Sequence, residues 1–204
     1  MSPGASVRLQ LALKRAIDLA AAAALLTVLS PLMAVIALAV RWSSPGEVVF
    51  RQERAGRGGR PFTLLKFRTM VPVPGAPPLP GACACQHGDL GRRVTPLGRV
   101  LRATGLDELP QLVNVLRGEM SFVGPRPDLL NHVARYSDGQ RLRLEVRPGI
   151  TGWAQVHGRT LIPWDERIRL DAEYIRDWSL LKDAAIVLRT VAVVLSGAAA
   201  PPGR

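Results

Sequence analysis

Two adjacent carboxylates, Asp107 and Glu108, are the residues of this sequence best suited to chemistry. They open the stretch LDELPQLVNVLRG, whose leucine and valine spacing predicts a helix that ends near Gly118. A helix N-terminus favours an ionised carboxylate and also offers N–H groups to a phosphate. Such a carboxylate could attack phosphorus, provided that cations neutralise the phosphate oxygens. The same position also suits a purely structural pair, with Asp107 as the N-cap and Glu108 as a first-turn acid.

Arginines around these acids indicate a phosphorylated substrate. Arg102 lies just ahead of them, and two prolines hold Arg126 in an extended conformation within the run GPRPD. Arg147 precedes a second stretch that is rich in proline and glycine. Guanidinium groups bind phosphate oxygens through paired hydrogen bonds, so these residues are typical of phosphate chemistry.

The elements ahead of the acids are a hairpin and a short helix. VVFRQER and RPFTLLKFRTM flank a glycine-rich turn, which predicts a β-hairpin over residues 48–70. Thr95-Pro96 is typical of a helix start, and Gly105 is typical of a helix end. Between them, residues 71–91 predict an irregular surface loop, and the pattern assigns no role to its Cys83 and Cys85.

The N-terminal region predicts a membrane segment, because residues 19–40 contain no charged side chain. Ser30-Pro31 stands near its midpoint, and proline removes a helical hydrogen bond, so we expect a break there. Basic residues flank the segment on both sides, which favours keeping both ends on the cytosolic face. The sequence therefore predicts a re-entrant helix-break-helix, with a single kinked spanning anchor as the alternative.

Composition limits the class of protein. The chain of 204 residues is long enough for one catalytic domain, and its formal net charge of +11 favours anionic partners. Nucleic acid is not expected among them, since no basic stripe with aromatic platforms is evident. Residues 183–195 are too short to span a membrane and predict a buried or interfacial helix. Trp153, Trp164 and Trp178 could lie at the same interface.

Several long motifs follow one another along nearly the whole chain. They are Lys14-Arg15 with Asp18, Ser30-Pro31, FRQERAGRGGRPFTLLKFRTM, LGRVLRATGLDELPQLVNVLRGEMSFVGPRP, VRPGITGWAQVHGR and LDAEYIRDWSLLKD. In these motifs the chain resembles the bacterial sugar transferase family, the monotopic polyprenyl-phosphate phosphoglycosyl transferases, in their small catalytic-domain-only form. It departs from the family pattern at Gly105, where a serine usually stands.

The resemblance implies an enzyme that moves a sugar 1-phosphate from a nucleotide diphosphate sugar, usually a UDP-sugar, to polyprenyl phosphate. The products are a polyprenyl-diphosphate-linked sugar and a nucleoside monophosphate, in the first step of surface glycan or exopolysaccharide assembly. It also implies that Asp107 is the nucleophile of a covalent phosphosugar intermediate, with Glu108 as its partner and Mg²⁺ bound at Asp107. Arg102 is the candidate for the acceptor phosphate, and Lys66, Arg126 and Arg147 are candidates for the donor side.

The predicted architecture is α+β and mainly helical, with a small hairpin and the re-entrant membrane segment. We expect a membrane-associated part at residues 1–41 and a cytosolic catalytic domain at residues 42–204, on the bacterial inner membrane. The lipid bilayer is thus a partner, while the sequence leaves open the identity of the sugar and whether the enzyme is a homodimer. The competing interpretations are a membrane-anchored basic adaptor and a transferase-like scaffold without activity.

Overall fold

The computed structural model describes residues 5–71, 93–158 and 162–196. The fold is mostly helical with a small antiparallel hairpin, which confirms the coarse prediction. The surface loop predicted at 71–91, with Cys83 and Cys85, falls almost entirely outside the described residues.

The predicted hairpin consists of strands β1 (Val49–Ala55) and β2 (Pro61–Phe67). They pair antiparallel, with a short 3-10 turn at Arg57–Gly59 between them. Gly58 and Gly59 adopt φ angles of 67° and 73°, in the left-handed region that glycine enters without steric cost. The glycine-rich turn therefore reverses the chain as predicted and delivers β2 to the centre of the molecule.

Helix α2 (Pro96–Thr104) begins and ends where the sequence predicts. The Thr95 side chain accepts a hydrogen bond of 2.9 Å from the Gly98 N–H, and Gly105 ends the helix with a φ of 73°. A 3-10 turn at Leu106–Glu108 follows, and helix α3 (Gln111–Leu116) starts only after it. We expected one helix to begin at the two acids, but they lie in this separate turn.

The rest of the described chain is built from short elements that end in two longer helices. Strands β3 and β4 pair in parallel, Ser121 with Gly149 and Val123 with Thr151. The bounds are β3 (Ser121–Val123), α4 (Leu130–Val133), α5 (Asp138–Arg141), a 3-10 turn (Leu142–Leu144), β4 (Gly149–Thr151), α6 (Trp153–Val156), α7 (Trp164–Arg176) and α8 (Leu180–Leu195).

The N-terminal helix α1 (Ala5–Ser43) runs for 39 residues, about 58 Å at the rise of an α-helix. It continues through Ser30-Pro31, where we predicted a break. Pro31 has no N–H to donate to the Thr27 carbonyl, but the Ser30 hydroxyl donates to that oxygen at 2.8 Å. The serine thus satisfies the acceptor that proline leaves unpaired, and this explains how the helix continues. Re-entry into one face of a bilayer stays a prediction.

One side of α1 packs on the rest of the molecule, and polar contacts fix its N-terminal half. Lys14 Nζ donates to Asp183 Oδ2 at 2.5 Å, Arg15 Nη1 donates to the Val115 carbonyl at 2.8 Å, and Asp18 accepts from the Phe122 N–H at 3.3 Å. Further along this side, Ala22, Ile36 and Val40 are buried. The opposite side exposes large apolar side chains, and Val7–Ser43 is long and apolar enough to cross a membrane.

Helix α8 is buried on one side only, so it is not the fully buried helix that we considered. Ile186 is completely buried, whereas Leu181 and Leu188 are 83% and 71% exposed. Two of the three tryptophans donate their indole N–H groups within the protein, Trp153 to Glu173 at 2.9 Å and Trp178 to Asp183 at 3.2 Å. Trp164 lies against the Arg143 guanidinium, 5.3 Å from its ring centre.

Gly98 allows α2 to pack directly on the chain that follows β2. A Cβ atom at this position would lie 2.2 Å from the Thr69 carbonyl oxygen, which is backbone and cannot give way. We expect Gly98→Ala to lower the free energy of unfolding by about 2 kcal/mol, as measured by denaturant or thermal unfolding. Gly139→Ala in α5 is the control, because nothing lies within 4 Å of its Cβ position. Equal stability of the two variants would contradict this account of the packing.

Candidate active site

Asp107 and Glu108 lie where β2, α2 and α3 meet. The 3-10 turn that carries them follows the left-handed residue Gly105, whose missing side chain cannot cap the turn. No side-chain capping bond is made at either this turn or the start of α3. The structural interpretation of Asp107 as an N-cap is therefore wrong, and its carboxylate is left for another role.

Glu108 is held by two cations from different elements. Lys66 Nζ of β2 donates to Glu108 Oε1 at 2.8 Å, and Arg126 Nη2 donates to the same oxygen at 2.9 Å. Burial alone would raise the pKa of Glu108, but Arg126 and Lys66 outweigh it and hold that pKa far below its usual value. Burial in turn lowers the pKa of Lys66, against the attraction of Glu108. Two positive groups thus hold Glu108 in place and favour its ionised form.

Asp107 differs from its neighbour in having no such partner. It is 7% exposed, and within the described residues no hydrogen bond or ion pair engages its carboxylate. Burial raises the pKa of Asp107, Lys66 opposes this, and the charge of Glu108 adds to it. A carboxylate that is poorly solvated and unengaged is well suited to act as a nucleophile.

Arg102 supplies a further positive charge beside Asp107. Its Nε donates to the Thr69 hydroxyl at 2.9 Å, so Thr69, two residues beyond β2, orients the guanidinium that α2 carries. Arg102 is one of the groups that lower the pKa of Asp107, which places its charge within reach of that carboxylate. Three of the four predicted basic residues, Lys66, Arg102 and Arg126, are therefore brought to the dyad.

Arg147 does not join this cluster. Its Nε donates to the Gly118 carbonyl at 2.9 Å, beyond the C-terminal end of α3, whereas the dyad precedes the N-terminal end. Burial lowers the pKa of Arg147, the charges of Arg15 and Arg57 lower it further, and the charge of Asp18 opposes them. The structure thus places Arg147 where α1 docks on α3.

Two buried residues of the site were missed from the sequence. Asn114 of α3 accepts from the Leu65 N–H at 3.1 Å and donates to the Thr63 carbonyl at 2.7 Å, which fixes β2, and hence Lys66, against α3. Arg54 of β1 is 6% exposed, and burial together with Arg126 lowers its pKa to about 10, so it stays charged at neutral pH. Side chains of the strand VFRQERA alternate between its two faces, so Arg54 lies on the same face as the half-buried Phe50. This alternation could have identified Arg54 as an inward-facing residue.

The charges around the dyad favour an anionic, phosphorylated substrate. Four cationic side chains lie within electrostatic reach of the two carboxylates, and Asp128 adds a third acid beside Arg54, so the described side chains keep a positive excess. The four cationic side chains are those of Arg54, Lys66, Arg102 and Arg126. A phosphorylated substrate would offset this excess, whereas a neutral substrate would leave it uncompensated.

A magnesium ion fits these residues in a limited way. Mg²⁺ takes one or two protein carboxylates and completes its shell with water and substrate phosphate oxygens. Asp107 offers such a carboxylate, while Glu108 is already engaged by two cations. No group of three or more His, Cys, Asp or Glu suitable for a metal is found in the described part of the chain. A magnesium ion held here would have Asp107 as its carboxylate ligand and would need water and substrate oxygens to complete its shell.

Three similar proteins each cover most of this chain. The chain is 47% identical over 191 residues to a UDP-glucose:undecaprenyl-phosphate glucose-1-phosphate transferase of Caulobacter vibrioides, covering 90% of this chain and 70% of that protein. It is 46% identical over 187 residues to an Escherichia coli protein of the same name, covering 88% and 39%. It is 41% identical over 191 residues to a UDP-N-acetylgalactosamine-undecaprenyl-phosphate N-acetylgalactosaminephosphotransferase of Aeromonas hydrophila, covering 91% and 44%.

A family model described as bacterial sugar transferase matches residues 9–197, which includes most of α1, the dyad and α8. The match extends over nearly all of the 204 residues. The chain belongs to the bacterial sugar transferase family.

Proposed function

We propose that this protein transfers a sugar 1-phosphate from a UDP-sugar to polyprenyl phosphate and so begins the assembly of a surface polysaccharide. The observation that carries the proposal is the dyad itself, an unengaged buried Asp107 beside a Glu108 fixed by Lys66 and Arg126. The named activities of the relatives support the donor and acceptor classes. They also differ in the sugar, so the sugar used here is a question for experiment.

The reaction proceeds in two displacements at one phosphorus. A carboxylate oxygen of Asp107 attacks the phosphorus next to the sugar, and the bond from that phosphorus to the bridging oxygen breaks, releasing UMP. An oxygen of polyprenyl phosphate then attacks the same phosphorus, which frees Asp107 and forms the lipid diphosphate. Splitting the transfer lets one site serve donor and acceptor in turn. No net proton is required when the acceptor phosphate is fully ionised.

The basic residues stabilise charge in both displacements. Arg102, oriented by Thr69, is positioned for phosphate oxygens on the Asp107 side. Lys66 and Arg126 hold Glu108 and place two positive charges beside the dyad, where they would attract the donor diphosphate. Groups fixed in this way need little reorganisation during the reaction, which is the main source of electrostatic catalysis.

Mg²⁺ bound at Asp107 would supply additional neutralisation of the diphosphate. We expect chelation by EDTA to lower turnover by about 100-fold or more, and added Mg²⁺ to restore it. UMP release measured before and after metal removal checks this expectation. Full turnover by the chelated enzyme would contradict the proposed role of the ion.

The exposed apolar side of α1 supports a membrane location for this chemistry. We infer that α1 enters the bacterial inner membrane from its cytosolic face and leaves both of its ends on that face, because Lys14 and Arg15 precede its apolar part and Arg41 follows it. The half-exposed α8 adds apolar side chains such as Leu188 to the same proposed boundary. A lipid acceptor cannot leave the membrane, so the site must work at its surface.

The experiment is a panel of UDP-sugars offered to the purified protein in detergent or lipid, with Mg²⁺ and polyprenyl phosphate. The proposal predicts UMP release from at least one donor, with steady turnover only when the acceptor is present. UDP-glucose and UDP-N-acetylgalactosamine come first, given the relatives. A folded, membrane-bound protein that releases UMP from no donor would overturn the proposal. The adaptor and inactive-scaffold interpretations are not favoured, since the relatives are named as transferases and the acids of the dyad lie beside Lys66, Arg102 and Arg126.

A further inference from the structure

The loop that presents Arg126 is held through the backbone carbonyl oxygens of four successive residues. Residues Pro125–Asp128 form no helix or strand, yet each of their four successive carbonyl oxygens accepts a hydrogen bond. The donors are Gly149 N to Pro125 O at 3.0 Å, Arg143 Nη2 to Arg126 O at 3.2 Å, Arg54 Nη1 to Pro127 O at 3.3 Å, and Ala55 N to Asp128 O at 2.9 Å. Two of the four are guanidinium groups rather than backbone amides, which is an unusual way to fix a loop.

Arg143 is itself fixed from other directions. Its side chain is 4% exposed, and its Nε donates to Asp171 of α7 at 2.8 Å, while Asp171 is 2% exposed. Its Nη1 donates to the Tyr136 hydroxyl at 2.6 Å, and that hydroxyl donates to Asp128 at 2.9 Å. The guanidinium therefore ties α7, Tyr136 and the loop together in one geometry.

The Arg143–Asp171 ion pair is better explained by the orientation that it gives to the Arg143 guanidinium than by a contribution to the free energy of unfolding. A buried ion pair of this kind gives little net stability over apolar packing of the same volume. It does fix the orientation of the guanidinium, because this planar group bonds three partners at fixed angles. One of those partners is the backbone oxygen of the residue whose side chain reaches Glu108 at 2.9 Å.

We propose that Arg143, oriented by Asp171, is a positioning residue that sets the Pro125–Asp128 loop so that Arg126 meets Glu108. This inference rests on the proposed function, because Arg126 matters only if the dyad transfers phosphate. Arg143 does not touch the dyad and acts through the loop backbone. A displacement of about 1 Å at a catalytic group can cost 10²-fold in rate, so the effect of losing Arg143 reaches the chemistry.

The test compares Arg143→Lys with wild type in two measurements on the whole protein in detergent. Lysine keeps the charge but cannot bond Asp171, Tyr136 and the loop at once. Hydrogen exchange followed by mass spectrometry reports opening of residues 121–130, and UMP release reports kcat/KM. Arg169→Lys is the matched control, since Arg169 makes an exposed ion pair on the same α7 helix. If Arg143→Lys does not fold, Tyr136→Phe takes its place in both measurements, because it removes one hydroxyl that Arg143 bonds.

We expect faster exchange over residues 121–130 in Arg143→Lys, with exchange in α3 unchanged, and a fall in kcat/KM of about 30-fold. In an Arg126→Ala background, the same substitution should lower kcat/KM by less than about threefold, because residues that act as a unit are not additive. Unchanged exchange in the loop would overturn the proposal, and so would an equal kinetic effect in both backgrounds. If wild type itself releases no UMP, the proposed function fails, and the exchange measurement still decides whether Arg143 holds the loop.

Discussion

Asp107→Asn should abolish sugar-phosphate transfer, with turnover lower by about 10³-fold or more. The amide has nearly the same shape as the carboxylate but carries no charge and is not a nucleophile. Asp107 makes no hydrogen bond within the described residues, so the substitution removes no structural contact. Initial rates of UMP release, measured at saturating donor and acceptor, check the prediction.

The same variant should not be less stable than wild type, which separates chemistry from folding. Burial raises the pKa of Asp107, and a carboxyl whose pKa rises on folding destabilises the folded state at pH values above that pKa. Asparagine carries no such penalty, so we expect an equal or higher melting temperature. Asp138→Asn, which changes a first-turn acid of α5, is the activity control. More than a tenth of wild-type turnover in Asp107→Asn would contradict the role given to Asp107.

Lys66→Met should produce the second-largest effect, because it removes one of the two cations on Glu108. We expect kcat/KM to fall by about 10²-fold, and the free energy of unfolding to fall by about 2 kcal/mol because a mostly buried carboxylate loses a charged partner. Adding Glu108→Gln should recover much of that stability without recovering activity. Thermal unfolding and UMP release, measured on the single and double variants, check both parts.

Lys182→Met is the matched control for this substitution. Lys182 is as buried as Lys66, at 16% and 17% side-chain exposure, and it also lies near a glutamate, Glu173. It belongs to α8 and has no contact with the dyad, so we expect kcat/KM to stay within about twofold of wild type. Similar losses of activity in the two variants would contradict a specific role of Lys66 at Glu108. The loss would then follow from removing any buried lysine that lies near a glutamate.

Local signals allowed several elements to be predicted from the sequence. The hairpin follows from alternation around a glycine-rich turn, and the ends of α2 follow from Thr95 and Gly105. Residue type and neighbouring arginines made Asp107 and Glu108 candidates, and the resemblance to bacterial sugar transferases supplied their expected roles. For the hairpin and α2, the determining interactions lie within a few residues along the chain.

Interactions between distant residues explain what could not be predicted. Arg147 is an arginine, as expected of a residue that binds the donor phosphates, yet its partner is the Gly118 carbonyl at the far end of α3. The role of Asn114 could not be predicted from the sequence, because its hydrogen bonds reach residues of β2 about fifty positions away. Pro31 was expected to break α1, and only the bond from Ser30 to Thr27 shows why it does not. Strands β3 and β4 are three residues each, too short for a periodic pattern.

The most direct test of the central claim is to trap the sugar phosphate on the protein. The protein is mixed with a UDP-sugar that it turns over, carrying radioactive phosphorus in the phosphate next to the sugar, without polyprenyl phosphate, and is quenched and digested with trypsin. The account predicts that the label lies in the peptide of residues 103–117, which contains Asp107. Adding polyprenyl phosphate before the quench should remove this label, and Asp107→Asn should carry none. Steady transfer to lipid with no label on this peptide would contradict a covalent step at Asp107 and require direct transfer between the two substrates.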